Sequence, residues 1–295
     1  MLDPRELYTV HADQVEALAG RDLVMIHLLT GYIDAGGVTR NLAEHLLLQS
    51  PHQPVAEFDV DQLHDYRSRR PAMTFDVNRW ADAEMPELTL DRVTDERGVD
   101  YLLLSGPEPD TQWKRAATAI LDLAAALGVT RLVTATGAPF GVPHTRPVLV
   151  TEHSTAPDFV DENPVLFDRV QVPGSFAALL ELSAGRRGML ARGFVTHVPH
   201  YLAQGSYPPA AVAGLTRLMD ATGLALPQEP LIGTVQPTLD ALSTEMGQDE
   251  DLPALVSALE LKYDELERRD RGVPSAEEIG QAVEQFLAQQ SDDEE

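Results

Sequence analysis

Five short stretches of the chain gather side chains able to do chemistry. Gly31-Tyr32-Ile33-Asp34-Ala35-Gly36-Gly37 sets compliant backbone and one carboxylate just ahead of a helical pattern, where free amides can hold an anion. Asp34 is equally suited to cap that helix. Asp65-Tyr66-Arg67-Ser68-Arg69-Arg70-Pro71 crowds guanidinium forks that suit carboxylates or phosphates, with Arg67 the candidate ligand, or that pair with the protein's own acids. Ser105-Gly106-Pro107-Glu108-Pro109-Asp110 holds two carboxylates in a stiff loop, where burial of one would raise its pKa toward general-base work. Asp110 also stands where a cap for the next helix belongs.

The loop from Thr136 to Pro147 brings His144 and Arg146 together, an imidazole and a guanidinium that can polarise an oxyanion. His197-Val198-Pro199-His200-Tyr201 adds two imidazoles, but not at the helical H-E-x-x-H spacing, so no metal site is expected. Ser175 lacks the G-x-S-x-G elbow and reads as a helix cap. The first glycine loop lacks both the G-x-G-x-x-G spacing and the Gly-Lys-Ser/Thr ending, so neither a dinucleotide nor ATP is invoked. No cofactor is expected. The candidate ligand residues are thus Asp34, Gly36, Gly37, Arg67, Glu108, Asp110, His144, Arg146 and His200.

These loops follow apolar runs that must position them. Leu23 to Leu29 reads as a strand, and Val38, Leu42 and Leu46 as the next helix. Tyr101 to Leu104 repeats the pattern, followed by a helix from Trp113 to Leu127 that Gly128 closes. Arg131 to Ala135 and Phe194 to Val198 are later strands, and Val212, Leu215 and Met219 mark another helix. Strands alternating with helices specify a three-layer α/β/α fold with a mostly parallel sheet, whose ligands bind beyond the strands' carboxyl ends.

After Gly223 the pattern is helical only. Leu252, Leu255, Val256, Leu259, Tyr263 and Leu266 form one stripe, and Ile279, Val283, Phe286 and Leu287 a second, with Ser275 and Glu278 as a capping box. The expected organisation is an α/β/α domain over 1–225, a small acidic all-helical region over 226–290 and a disordered acidic tail over 291–295.

Of 295 residues 43% are hydrophobic, enough for a packed core. The chain has no cysteine, which removes disulfides, thiolate metal sites and cysteine nucleophiles. With 47 acidic and 22 basic residues the net charge is -25, which repels nucleic acids and anionic lipid. Residues 226–295 hold 18 of those acids and 4 of the bases. No apolar run reaches the roughly 20 residues of a membrane span, and Met1-Leu2-Asp3-Pro4-Arg5-Glu6 does not begin a secretory leader. A cytoplasmic protein with no membrane and no nucleic-acid partner is expected.

The order of the glycine loop, Tyr66-Arg67-Ser68-Arg69-Arg70-Pro71, Gly106-Pro107-Glu108-Pro109-Asp110 with Trp113, Pro143-His144-Thr145-Arg146-Pro147, and Pro199-His200-Tyr201 with Tyr207-Pro208 resembles the actinobacterial branch of the proteasome assembly chaperone 2 family. The resemblance spans about residues 20 to 225. It implies a fold similar to purine nucleoside phosphorylases, a homo-oligomer with a trimer favoured, and proteasome subunits as partners. A hydrophobic-Tyr-x tail for docking into the proteasome is not matched by Ser291-Asp292-Asp293-Glu294-Glu295.

Two functions are consistent with these residues. One is a non-catalytic oligomeric assembly protein. The other is a protein that binds a nucleoside-like or anionic small molecule, or a hydrolase or phosphorylase, using the strand-end crevice. Convergence of Asp34, Glu108, His144 and Arg146 on one pocket favours the second; their engagement in core hydrogen bonds favours the first.

Overall fold

A computed structural model describes residues 2–156, 160, 169–246 and 252–270. The second helical stripe, the capping box at Ser275 and Glu278 and the acidic tail lie outside the described residues.

Strand β2 (Leu23–Thr30) is buried along nearly its whole length, as a strand covered on both faces must be. It pairs in parallel with β7 (Asp100–Pro107) on one side and β8 (Val129–Phe140) on the other, and β8 pairs in parallel with β10 (Leu190–Pro199). These four strands are the parallel centre expected from the apolar runs. The flanks are antiparallel: β1 (Tyr8–Val10), β3 (His52–Phe58) and β6 (Thr89–Thr94) extend the sheet beyond β7, and β9 (Val150–Ser154) closes it beyond β10. The full order is β1-β3-β6-β7-β2-β8-β10-β9.

Helices complete three layers. On one face α2 (Val38–Gln49) and α6 (Pro208–Thr222) pack Val38, Leu42, Leu46, Leu215 and Leu218 onto Ile26, Leu28, Val133 and Phe194. On the other, α1 (Ala12–Leu18), α3 (Val60–Leu63), α4 (Trp113–Ala126) and α5 (Phe176–Arg186) enclose Met25, Leu102, Leu104 and Leu132. Pro208 at the start of α6 and left-handed Gly223 at its end are the punctuation a helix of this length needs.

The chain crosses residue 225 without leaving this core, because Leu224, Leu226 and Leu231 are buried beside α2 and α6. Two further helices, α7 (Glu229–Ile232) and α8 (Val235–Met246), then pack against α6. In α9 (Leu252–Asp270) the apolar stripe is narrower than expected: Val256, Leu259 and Tyr263 are buried, whereas Leu255 and Leu266 face outward.

One element carries no periodic signal in the sequence. Between α3 and β6 a two-stranded ribbon, β4 (Met73–Asp76) and β5 (Arg79–Ala83), stands outside the main sheet. Phe75 and Trp80 are cross-strand partners with ring centroids 5.1 Å apart, yet they remain 56% and 65% exposed.

Candidate functional site

The glycine loop leaves β2 and turns into α2. Asp34 accepts hydrogen bonds from the amides of Thr39 at 2.7 Å and Arg40 at 3.2 Å, so its carboxylate caps α2. Gly36 and Gly37 both have positive φ, of 66° and 59°. A Cβ on Gly36 would also stand 2.9 Å from Tyr207 Cβ, so the close approach of the Tyr207 segment demands glycine there.

Glu108 follows β7 and is 9% exposed. Its Oε1 accepts the Tyr32 amide at 2.9 Å and its Oε2 the Phe176 amide at 2.8 Å, joining the glycine loop to the start of α5. Gly31 makes room for this carboxyl, since a Cβ there would lie 2.1 Å from Glu108 Cδ. Ser175 caps α5 by accepting the Ala178 amide at 3.2 Å, as its sequence context indicates.

Asp110 does not cap α4; Gln112, in a left-handed conformation, occupies that place. The Asp110 carboxylate instead accepts the Asp65 amide at 2.7 Å and pairs with Arg69 at 2.7 Å. Burial acts to raise its pKa, but these hydrogen bonds outweigh it and hold the carboxyl below its ordinary value. Arg69 also donates to the Glu108 carbonyl at 2.6 Å. Arg69 is therefore the member of the arginine cluster tied to the two acids, while Arg67 is exposed.

His144 and Arg146 belong to a different neighbourhood. His144 Nδ1 lies 2.8 Å from the Tyr201 hydroxyl, and burial pushes its imidazole pKa down. Arg146 binds Asp264 of α9 through two parallel bonds, Nε at 2.8 Å and Nη2 at 2.9 Å, and Glu260 through Nη1 at 3.1 Å. Those carboxylates raise the guanidinium pKa further. Tyr263 of the same helix donates to the Pro147 carbonyl at 3.0 Å. His200 is exposed and sets its ring edge-on to Tyr201. His197 stacks flat on Phe140 at 3.8 Å and meets Thr151 Oγ1 at 2.8 Å.

A crevice of about 580 Å³ does lie at the carboxyl end of β2, where an α/β sheet places ligands. Asp34 and Gly37 line it, with Gly36 bonded through its amide to the Ala203 carbonyl at its edge. Glu108, Asp110, Arg67, His144, Arg146 and His200 are not among its lining residues. Its other walls come from Tyr32, Arg40 and Asn41, from Val172 and Pro173, and from the Ala203 to Ser206 turn. Tyr32 belongs to the glycine loop and Arg40 and Asn41 lie in the first turn of the helix that follows it, within reach of a sequence argument; Val172, Pro173 and the Ala203 to Ser206 turn are distant in the chain and carry no local signal.

The PAC2 family model matches residues 28–242. A Mycobacterium tuberculosis protein of unknown function is 36% identical, superposes with a TM-score of 0.83, and its match covers 90% of this chain and 91% of its own. A Corynebacterium glutamicum protein of unknown function is 32% identical with a TM-score of 0.83, over 89% of this chain and 98% of its own. A proteasome-assembly chaperone homologue of Mycobacterium tuberculosis shares the fold at 22% identity, with a TM-score of 0.71 over 79% of this chain and 100% of its own. No curated protein matches the chain.

Proposed function

The chain belongs to the PAC2 family, and from that premise we propose that it is a non-catalytic, oligomeric assembly protein that holds other protein subunits. The observation that carries this reading is how the reactive side chains are used. Asp34 is taken up by two amides of α2, Glu108 by the amides of Tyr32 and Phe176, and Arg146 by Asp264 and Glu260. Groups so engaged are held for positioning the chain, and they lack a free partner with which to transfer a proton.

The proposed assembly is a homo-oligomer, a trimer by family resemblance. The β4–β5 ribbon supports it: a lone two-stranded hairpin is marginal in water, and this one exposes Met73, Phe75, Val77 and Trp80, which a subunit contact would bury. Proteasome subunits are the proposed class of partner, supported by the name of the actinobacterial chaperone homologue that shares the fold. Residues 1–225 are proposed as the scaffold and the acidic 226–290 as its partner-facing region. The proposed compartment is the cytoplasm; no helix among the described residues is long and apolar enough to cross a membrane.

Affinity capture with the intact protein as bait, read by quantitative mass spectrometry beside sedimentation of the purified protein, tests the reading. Proteasome subunits recovered in fixed proportion with a single oligomeric species are expected. A monomer that recovers no protein partner and turns over a nucleoside would replace it with a crevice enzyme.

A further inference from the structure

The three layers are complete on one face of the sheet and incomplete on the other. Among the described residues, helices α2 and α6 cover β2, β8 and β10 and the Val93 end of β6, whereas Thr89 and Asp91 of β6 line open space. A sheet face normally buries itself against another element. Here the space beside α2 is a furrow, made of two cavities of about 430 and 460 Å³ that share Leu47, Glu87 and Thr89. Leu47 and Pro54 supply apolar walls.

At its floor Asp91 of β6 is only 5% exposed, and its Oδ2 accepts the Thr89 hydroxyl at 2.7 Å. Among the described residues no cationic side chain pairs with Asp91, nor with Glu44 and Glu87 on the walls. Glu57, the remaining acid of the lining, meets His11 at 3.0 Å. A Lys or Arg arriving with its own apolar surroundings supplies the cation that this buried carboxylate lacks within the chain.

We propose that the furrow between α2 and β6 is a docking groove for an amphipathic segment of a different protein, whose apolar residues fill the space between Leu47 and Pro54 and whose Lys or Arg pairs with Asp91. A second copy of this chain is the poorer occupant of this furrow, because Asp91, Glu44 and Glu87 call for cations and the chain carries 22 basic residues against 47 acidic ones, while its own subunit contact is proposed at the β4–β5 ribbon.

The probe is a fluorescein-labelled amphipathic Leu/Lys peptide, with a Leu/Glu peptide of the same length as its control, titrated into the intact protein at about 0.15 M salt and followed by anisotropy. The Leu/Lys peptide is expected to bind and to slow amide exchange in α2 and β6, and Asp91→Asn is expected to weaken it by roughly tenfold while Glu16→Gln on α1 changes nothing. Asp91→Asn keeps the Thr89 hydrogen bond, so its melting temperature is expected to equal or exceed the parent's. If that variant does not fold, Leu47→Lys, which places a cation in the groove itself, is expected to abolish binding. Unchanged affinity in both variants, or exchange protection confined to α9, would overturn the proposal as general attraction to an acidic protein. A change of oligomeric state in Asp91→Asn would overturn it in favour of a second copy.

Discussion

Arg146 and Asp264 face each other across 118 positions of chain and meet as a fork on a fork, Nε to Oδ1 at 2.8 Å and Nη2 to Oδ2 at 2.9 Å. This pair, with Glu260 beside it, fastens α9 to the loop between β8 and β9. Its geometry is the bidentate kind that adds direction as well as attraction.

Replacing Asp264 by Asn removes the charge and one of the two acceptors. Amide exchange in α9 is expected to accelerate, while exchange in β2 and β7 stays as it was. High salt is expected to have the same effect on the parent protein, since the pair is open to solvent. Equal protection of α9 in parent and variant would mean that Val256, Leu259 and Tyr263 hold the helix without it.

Glu108→Gln puts an amide group opposite the Tyr32 or Phe176 amide, donor against donor, in a buried place. A loss of about 2 kcal/mol in a denaturant titration is expected. Gly31→Ala drives a methyl into the same carboxyl and is expected to cost about 1 to 3 kcal/mol. The two losses are expected not to add, because both act on one contact.

His27 lies on β2 in the core at 1% exposure, with Nδ1 unpaired, and its burial lowers its pKa to about 4. The unfolded chain takes up a proton at this residue below about 6.5, so the folded state loses stability as pH falls from 6.5 to 4. His197, also lowered to about 4 by burial, acts in the same direction. Once both pH limits are passed the His27 share is roughly 3 kcal/mol. His27→Leu is expected to melt higher at neutral pH and to show a shallower loss across this window; an unchanged slope would assign the acid sensitivity elsewhere.

Trp80→Ser on the β4–β5 ribbon removes the largest exposed aromatic without touching the main core. Sedimentation is expected to show a smaller species at the same far-UV spectrum. An unchanged sedimentation coefficient would place the subunit contact on another surface.

The strands β2, β7, β8 and β10 were legible from short apolar stretches such as Leu23 to Leu29 and Tyr101 to Leu104, because the middle of each strand is covered on both faces. Strands β3 and β6 were not, since they are covered fully on one face only: His52, Gln53 and Pro54 face solvent, and Asp91 and Thr89 line the open furrow. The ribbon buries neither face and so has no period to read.

The same distinction holds at the candidate site. The cap roles of Asp34 and Ser175 are local hydrogen bonds within a few residues, and the residue type and the start of an apolar helix pattern were enough to read them. The roles of Glu108 and Arg146 depend on Phe176 and Asp264, which lie 68 and 118 positions away. No spacing within one loop encodes those partners.

By itself, then, the amino-acid sequence determined the layer architecture, the parallel centre of the sheet, the caps at Asp34 and Ser175 and the family, because each follows from burial pattern and short-range bonding or from the order of short motifs. Tertiary structure alone decided which acids and bases share a neighbourhood. It separated His144 and Arg146 from the crevice, gave Glu108 to two backbone amides, and left Asp91 at the floor of an uncovered sheet face. Those outcomes depend on where distant segments meet after packing, and packing responds to the whole core at once.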